Sequence, residues 1–224
     1  MATTVALVHG FATTSARTWG ENGWLDLLGD VGRTPMPVDL LGHGTADKPH
    51  DPEAYAAMEE LVLAQLPPEP IDAIGFSLGA RVLLTIATEH PDRFERLVLT
   101  GVGANLLRHD TSDLVLRAIE GEGDPTNPVV QYFAGLAAHP DVDRAALAAC
   151  LRSPRPVVTP ERLATVQLPV LVIIGDKDFA GPGEPLADAL PQSTLVTLRN
   201  VDHFATPKDF GCIDAALDFL GAGS

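Results

Sequence analysis

The chain has 224 residues, 46% of them hydrophobic, which is enough for one sizeable core and too few for two full α/β domains. Fifteen basic residues against 30 acidic ones leave a net charge of −15, which repels nucleic-acid phosphates and anionic lipid, so we expect neither nucleic acid nor a membrane as a partner. Cys150 and Cys212 allow at most one disulfide and lack zinc-site spacing, and residues 1–8 are too short an apolar stretch for a signal peptide. We therefore expect one cytoplasmic domain over residues 1–224 that acts on a small molecule.

Short apolar or β-branched runs alternate with helical patterns along the chain, which is typical of parallel βαβ units and predicts an α/β fold. Strands are predicted at residues 4–8, 34–38, 71–75, 97–100, 170–174 and 193–198. Helices are predicted at residues 53–65, 79–89, 184–190 and 209–220. Pro35 and Pro37 interrupt the second strand, which is therefore expected at an edge of the sheet.

Residues 104–169 contain no strand pattern, and we call them the cap segment. Short helices are predicted in it near residues 112–120, 127–138, 141–151 and 160–166, separated by glycines and prolines. We interpret the cap segment as a helical insertion over the sheet.

The pentapeptide Gly75-Phe76-Ser77-Leu78-Gly79 lies between a predicted strand and a predicted helix. A serine in such a sharp turn takes a strained backbone conformation that the flanking glycines make sterically possible, and its Oγ projects above the sheet edge. The pattern alone is weak because other small-residue turns mimic it, but the strand before it and the helix after it indicate a nucleophile elbow. Ser77 is therefore the candidate nucleophile.

Two backbone amides are candidates for stabilising an oxyanion. Gly10 lets the chain turn after the first strand and leaves the N–H of Phe11 free to meet an oxyanion, and the N–H of Leu78, directly after the nucleophile, is the second donor. His9 and His43 lie in nearby glycine-containing loops. We interpret both histidines as structural groups that hydrogen-bond the loop backbone.

A base and an acid are found at the ends of later strands. His203 lies between the last strand and the last helix, and Asp176 and Asp178 follow the fifth strand, where a carboxylate can orient and stabilise an imidazolium. Asp202 is a weaker candidate, because the side chains of sequence neighbours such as Asp202 and His203 rarely face each other. The order Ser77, Asp178, His203 is the one expected for this architecture.

These motifs resemble those of the α/β-hydrolase fold superfamily, and the similarity extends from His9 to the final helix. Further segments that carry the resemblance are Asp39-Leu40-Leu41-Gly42-His43-Gly44, Asp47-Lys48-Pro49 and His90-Pro91-Asp92-Arg93-Phe94. The resemblance implies a triad of Ser77, His203 and Asp178, because it places the acid last in the Gly-x-x-Asp turn. It also implies that the amides of Phe11 and Leu78 form the oxyanion hole.

The chain departs from the superfamily at one point, because it begins directly at the strand that is normally third. The resemblance therefore implies about six mostly parallel strands flanked by helices, without the usual N-terminal β-hairpin, and with a small helical cap.

The predicted function is that of a serine hydrolase that cleaves a small carboxylic ester or lactone through an acyl-enzyme intermediate, without a metal or a cofactor. A serine at the elbow disfavours haloalkane dehalogenase and epoxide hydrolase chemistry, because both use a carboxylate nucleophile. Trp19, Trp24 and Phe76 are candidates for lining an acyl pocket, although aromatic residues at these places are as often part of simple packing.

Arg81 supports an alternative function, because it stands one helical turn after the nucleophile and can reach a substrate carboxylate. Ser-Leu-Gly-x-Arg resembles the elbow of the menaquinone-pathway synthase, a lyase of this fold that eliminates pyruvate by proton abstraction through its triad. Further arginines for a polycarboxylate substrate are Arg108, Arg117, Arg152 and Arg155. The alternative is that Arg81 has a structural role, in a salt bridge that lies on the surface or stabilises a loop. A carbon–carbon bond hydrolase and a binding-only pseudoenzyme are the remaining alternatives.

Overall fold

The computed structural model describes residues 3–108, 112–155 and 158–221. Six parallel strands form one sheet in the order β2-β1-β3-β4-β5-β6. The strands are β1 (Thr4–Val8), β2 (Thr34–Val38), β3 (Ile71–Phe76), β4 (Phe94–Thr100), β5 (Val170–Gly175) and β6 (Ser193–Leu198). The α-helices are α1 (Trp24–Asp30), α2 (Met58–Leu63), α3 (Leu78–Glu89), α4 (Ser112–Glu120), α5 (Pro128–Ala137), α6 (Arg144–Arg152), α7 (Pro160–Leu163), α8 (Glu184–Asp188) and α9 (Phe210–Phe219).

Helices cover both faces of the sheet, which explains why the central strands are mostly apolar. Along β1, Val5 and Leu7 pack into the core with residues of α1 and α9, whereas Ala6 and Val8 pack into the core that includes α2 and α3. Because all strands are parallel, the loops that follow β1, β3, β5 and β6 meet at the carboxyl edge of the sheet. Phe11, Ser77, Asp178 and His203 lie in these four loops, and Leu78 begins the helix that follows Ser77.

The predicted fold is confirmed, and each predicted strand is present with β2 at an edge of the sheet. The helix predicted at residues 53–65 is divided into a 3₁₀ turn, Pro52–Tyr55, and α2. A π-helical turn at Ala16–Gly20 and the helix α1 were not predicted. Helix α1 buries only Trp24 and Leu28, one turn apart, which is too few apolar positions to produce a helical period in the sequence.

The cap segment contains a 3₁₀ turn at Ala104–Leu107 and the helices α4 to α7, and no strand occurs among its described residues. Its interpretation as a cap, and of the chain as one domain, stays a prediction. None of the helices in the described ranges combines the length and the apolar character that crossing a bilayer requires.

A buried carboxylate ties the amino ends of two strands to the end of the last helix. Asp72 in β3 has no exposed side-chain surface, and it accepts hydrogen bonds from Arg33 Nη1 and from Arg96 Nε, each at 3.1 Å. The same two guanidinium groups donate to the carbonyl oxygens of Leu220 and Phe219, at the C-terminal end of α9. The Asp72 carboxylate therefore positions both arginines, and their guanidinium groups cap the C-terminal end of α9.

Replacing Asp72 with alanine is expected to lower the free energy of unfolding by about 3 kcal/mol, because two partly buried arginines lose their counter-charge. Urea unfolding of the wild type, Asp72→Ala and Asp214→Ala measures the effect. Asp214 is the matched control, since its carboxylate is exposed in the middle of α9. Equal losses in the two variants would show that the Asp72 ion pairs do not stabilise the fold.

Candidate active site

Ser77 occupies a strained turn between β3 and α3. Its backbone angles are φ 53° and ψ −110°, in a region that residues other than glycine rarely adopt. The turn is held from both sides, because the N–H of Ser77 donates to the carbonyl oxygen of Thr100 at 2.9 Å and the N–H of Arg81 donates to that of Ser77 at 3.0 Å. Ser77 is therefore fixed at the carboxyl edge of the sheet, at the amino end of a helix.

The two glycines of the pentapeptide are required by close backbone contacts. A Cβ atom on Gly75 would lie 2.6 Å from the Cα of Ala80, and one on Gly79 would overlap the carbonyl oxygen of Val8. Larger residues would push α3 away from β3 and β1. The glycines therefore serve the close packing of the elbow helix against the sheet, beyond any freedom that they give to the turn.

Because the backbone of Ser77 is strained, we expect the free energy of unfolding to be about 1 kcal/mol higher for Ser77→Gly than for Ser77→Ala. Glycine accepts a positive φ without cost, whereas alanine does not. Both variants lack the hydroxyl, so the comparison isolates the backbone. Urea unfolding measures it, with Ser15→Gly and Ser15→Ala as the matched pair, since Ser15 has an ordinary φ of −59°. The Ser15→Gly variant is expected to be less stable than Ser15→Ala. If Ser77→Gly were likewise less stable than Ser77→Ala, the prediction would be contradicted.

Ser77, His203 and Asp178 form one chain of hydrogen bonds. His203 Nε2 lies 3.1 Å from Ser77 Oγ, and His203 Nδ1 lies 2.9 Å and 3.0 Å from the two carboxylate oxygens of Asp178. The Asp178 side chain has no exposed surface, and its Oδ1 also accepts from the N–H of Ala180 at 2.8 Å. Because the carboxylate accepts, Nδ1 carries the hydrogen, which leaves Nε2 to accept the proton of the Ser77 hydroxyl.

Aromatic rings hold the imidazole in place. The His203 ring centroid lies 4.3 Å from that of Phe179 and 4.9 Å from that of Phe76. His203 is also buried, so little of its surface meets water. The rings therefore restrict the imidazole to the orientation in which it joins Ser77 to Asp178.

The two other carboxylates considered for the acid stabilise local turns. Asp176 accepts a hydrogen bond from the N–H of Asn200 at 2.7 Å. Asp202 accepts from the N–H groups of Phe204 and Ala205 at 3.0 Å and 2.9 Å. Of the three aspartates, it is Asp178 that contacts the ring of His203.

Phe11 and Leu78, the predicted oxyanion donors, line the same cavity as Ser77. Leu78 is the first residue of α3, so its N–H is one of those that have no partner within the helix. Phe11 follows Gly10, where a Cβ atom would come within 2.8 Å of the Phe76 ring. The tight turn after β1 thus brings the Phe11 backbone beside the elbow.

Two cavities meet at Ser77. One, of about 290 Å³, is lined by Arg81, Arg108 and Arg155, and we call it the arginine cavity. The other, of about 220 Å³, is lined by His203, and we call it the histidine cavity. The residues that line both are Phe11, Ser77 and Phe133. The further residues of the arginine cavity are Leu78, Val102, Asn105, Leu106, Val115, Leu151, Ser153 and Phe179.

The predicted pocket residues separate into two groups. Arg81 lines the arginine cavity and Phe76 lines the histidine cavity. Trp19, in contrast, has no exposed surface and packs edge-on against Trp24 at a centroid distance of 5.4 Å. The prediction that Trp19 lines the acyl pocket is therefore wrong, because the π-helical turn directs this ring into the core beneath the site.

Two of the candidate arginines lie outside the arginine cavity. Arg117 donates to the carbonyl oxygen of Glu122 at 3.4 Å, and Arg152 forms an ion pair with Glu120. Both contacts are exposed, so these arginines stabilise the surface of the cap segment at most weakly.

His9 and His43 are built into the loops behind the site. Nδ1–H of His9 donates to the carbonyl oxygen of Gly10 at 2.7 Å, and its Nε2 accepts from the N–H of Leu40 at 3.1 Å. Burial lowers the pKa of His9, and burial together with the charge of His9 lowers the pKa of His43 to about 3. Both rings are therefore neutral near pH 7, which supports their structural interpretation.

A parallel sheet with a strained serine after a central strand, and with a histidine and an aspartate after later strands, defines the α/β-hydrolase class of enzymes. Residues 5–210 match the model of the alpha/beta hydrolase family, and the chain belongs to this family. The predicted family and the hydrolase class are therefore confirmed.

Several relatives are similar to most or part of the chain. A pimeloyl-[acyl-carrier protein] methyl ester esterase of Neisseria meningitidis is 30% identical, over 89% of this chain and 86% of its own. The crystal structure of a hydrolase from Pseudomonas aeruginosa is 28% identical with a TM-score of 0.74, and the match covers 98% of this chain and 90% of that one. A putative 2-succinyl-6-hydroxy-2,4-cyclohexadiene-1-carboxylate synthase of Bacillus subtilis is 31% identical over 42% of this chain and 35% of its own.

Proposed function

We propose that the protein is a carboxylic ester hydrolase that cleaves a small ester or lactone through an acyl-enzyme at Ser77. The observation that carries the proposal is the hydrogen-bonded chain from Ser77 Oγ through His203 to Asp178, with Ser77 Oγ 3.1 Å from Nε2. The similarity to a methyl ester esterase over 89% of the chain supports an ester as the substrate.

The reaction follows from the roles of these groups. His203 Nε2 takes the Ser77 proton as Oγ attacks the ester carbonyl, and the amides of Phe11 and Leu78 stabilise the tetrahedral oxyanion. Collapse of this intermediate breaks the bond to the alcohol oxygen, which receives the proton from His203. Water, activated in turn by His203, then releases the acid. Each oxyanion donor contributes about 3 kcal/mol to lowering the barrier.

Hydrolysis of p-nitrophenyl esters, from short to long acyl chains, tests the proposal. We expect turnover that is fastest for short chains, because the cavities at Ser77 measure about 290 and 220 Å³. Intact-mass analysis after rapid acid quench is expected to show one added acyl group, located on the peptide that contains Ser77. No turnover of any ester, together with no acyl adduct, would overturn the proposal.

The arginines beside Ser77 favour a second candidate function, a lyase of the menaquinone-pathway synthase type. Arg81, Arg108 and Arg155 line one cavity with the serine, and the similarity to the Bacillus subtilis synthase points the same way. In that reaction Ser77 and His203 would abstract a proton from a polycarboxylate and expel pyruvate, without an acyl-enzyme. Pyruvate released from an enolpyruvyl-substituted polycarboxylate, measured with lactate dehydrogenase and NADH, tests this candidate. The absence of pyruvate release excludes it.

A further inference from the structure

The two cavities at Ser77 receive different halves of an ester, if the proposed function is correct. The oxygen of the departing alcohol must lie beside His203 Nε2, because that atom supplies its proton. The histidine cavity is lined by His203, and so is the place for the alcohol. The acyl group, bonded to Ser77 Oγ, then extends into the arginine cavity, which Ser77 also lines.

The charge of the arginine cavity is opposite to that of the protein. The chain has 30 acidic and 15 basic residues, yet the residues that line this cavity within the described ranges include Arg81, Arg108 and Arg155 and no aspartate or glutamate. Three like charges around about 290 Å³ favour a positive local potential, which the nearby carboxylate of Glu59 offsets in part. Such a lining favours an acyl group that carries a negative charge.

Two of the three arginines are held by the fold. Arg155 Nη2 donates to the carbonyl oxygen of Cys150 at 2.8 Å and lies 3.3 Å from its Sγ. Arg81 begins the second turn of α3, whose first turn is fixed to Ser77. The residues that carry these two guanidinium groups are therefore ordered before an anion binds, so binding costs less conformational entropy.

The electrostatics of Arg81 also favour an anion in the cavity. Burial lowers the pKa of the Arg81 guanidinium, and the charge of Arg155 lowers it further, while Glu59 acts in the opposite direction. Glu59 is partly buried, and burial raises the pKa of its own carboxyl against the opposing effect of Arg155 and Arg81. A bound carboxylate would relieve the repulsion between Arg81 and Arg155.

We propose that the acyl half of the substrate carries a second carboxylate, so that the substrate is a short half-ester of a dicarboxylic acid, or the corresponding lactone acid. The free carboxylate binds in the arginine cavity, with the ester carbonyl at Ser77 and the alcohol in the histidine cavity. Bidentate hydrogen bonds from guanidinium groups suit a carboxylate in this place.

A pair of nearly isosteric esters tests the proposal. Monomethyl adipate carries a carboxylate, and the methyl ester of adipic acid half-amide is its neutral counterpart; methanol release is followed by NMR. We expect kcat/KM to be about 10- to 100-fold higher for the carboxylate with the wild type, chiefly through KM. Salt is expected to reduce this preference, because it screens charge.

Variants locate the preference in the cavity. Arg81→Met and Arg155→Met are each expected to lower kcat/KM for the carboxylate at least tenfold and to bring the ratio of kcat/KM for the carboxylate to kcat/KM for the half-amide close to one. Arg117→Met is the matched control, since this exposed arginine lies outside the arginine cavity, and is expected to keep the preference. Circular dichroism and urea unfolding check that each variant is folded.

The failure of this inference differs from the failure of the proposed function. Equal kcat/KM for the two esters, or a preference that survives in both Arg81→Met and Arg155→Met, overturns the carboxylate site while ester hydrolysis stands. No turnover of these esters or of any p-nitrophenyl ester overturns the hydrolase itself, and with it the inference.

Discussion

Replacing Ser77 with alanine is expected to lower kcat for p-nitrophenyl ester hydrolysis by about 10⁵- to 10⁶-fold. The loss is this large because His203 and Asp178 act only through the Ser77 hydroxyl, whose oxygen lies 3.1 Å from His203 Nε2. The residual rate comes from the oxyanion amides and from substrate binding, which alanine leaves in place. Initial rates at saturating ester measure kcat for both proteins.

The matched control is Ser193→Ala, a serine at the amino end of β6, on the edge of the sheet opposite the site. Its hydroxyl donates to the carbonyl oxygen of Ala187 at 2.7 Å, so stability changes while catalysis is expected to stay within a few fold of the wild type. If Ser77→Ala retained more than about one hundredth of the wild-type kcat, a nucleophile other than Ser77 would have to be sought.

The fold was predictable because its parallel strands are buried on both faces. Burial on both faces makes β5 a continuous apolar run, and it leaves Asp72, which is paired with two arginines, as the one charged residue of β3. The elbow was predictable for a related reason, since only glycine fits at positions 75 and 79 against the backbone of α3 and β1. Helix α1 escaped prediction because it has two turns and buries one residue on each.

The sequence predicted where the site residues lie along the chain, but it did not predict the directions of their side chains. Ser77 and His203 follow from the strands that precede them, but the residues alone left Asp176 and Asp178 as alternatives for the acid. The two carboxylates lie in one turn and differ only in direction: Asp178 faces His203, whereas Asp176 accepts from the backbone of Asn200. The resemblance to the superfamily selected Asp178, and its role as the acid stays a prediction.

The substrate cavity could not be predicted because it depends on the rotation of short helices in the cap segment. Sequence alone made Arg117 and Arg152 as plausible as Arg108 and Arg155. In the structure the first two contact Glu122 and Glu120 on the surface, and the second two line a cavity with Arg81. Trp19 fails as a pocket residue for a similar reason, since a π-helical turn decides which side of the chain its ring occupies.

Asp178→Asn is expected to lower kcat about 10⁴-fold with little change in KM or in folding. The Asp178 carboxylate accepts from His203 Nδ1 at 2.9 Å and 3.0 Å, which keeps the hydrogen on Nδ1 and leaves Nε2 free to accept. Asparagine can donate its amide hydrogen to Nδ1, so the hydrogen moves to Nε2, where it blocks transfer from Ser77. Steady-state kinetics between pH 5 and 9 separate this loss from an effect on binding.

Asp176→Asn is the matched control, because it also removes one negative charge, two residues away in the same turn. Asp176 accepts from the N–H of Asn200 at 2.7 Å. The side-chain oxygen introduced by Asp176→Asn can still accept this hydrogen bond, so the turn is kept. Activity within a few fold of the wild type in Asp176→Asn, beside a large loss in Asp178→Asn, assigns the acid by geometry rather than by net charge. The reverse order would move the acid to Asp176 and require that the turn after β5 rearrange when substrate binds.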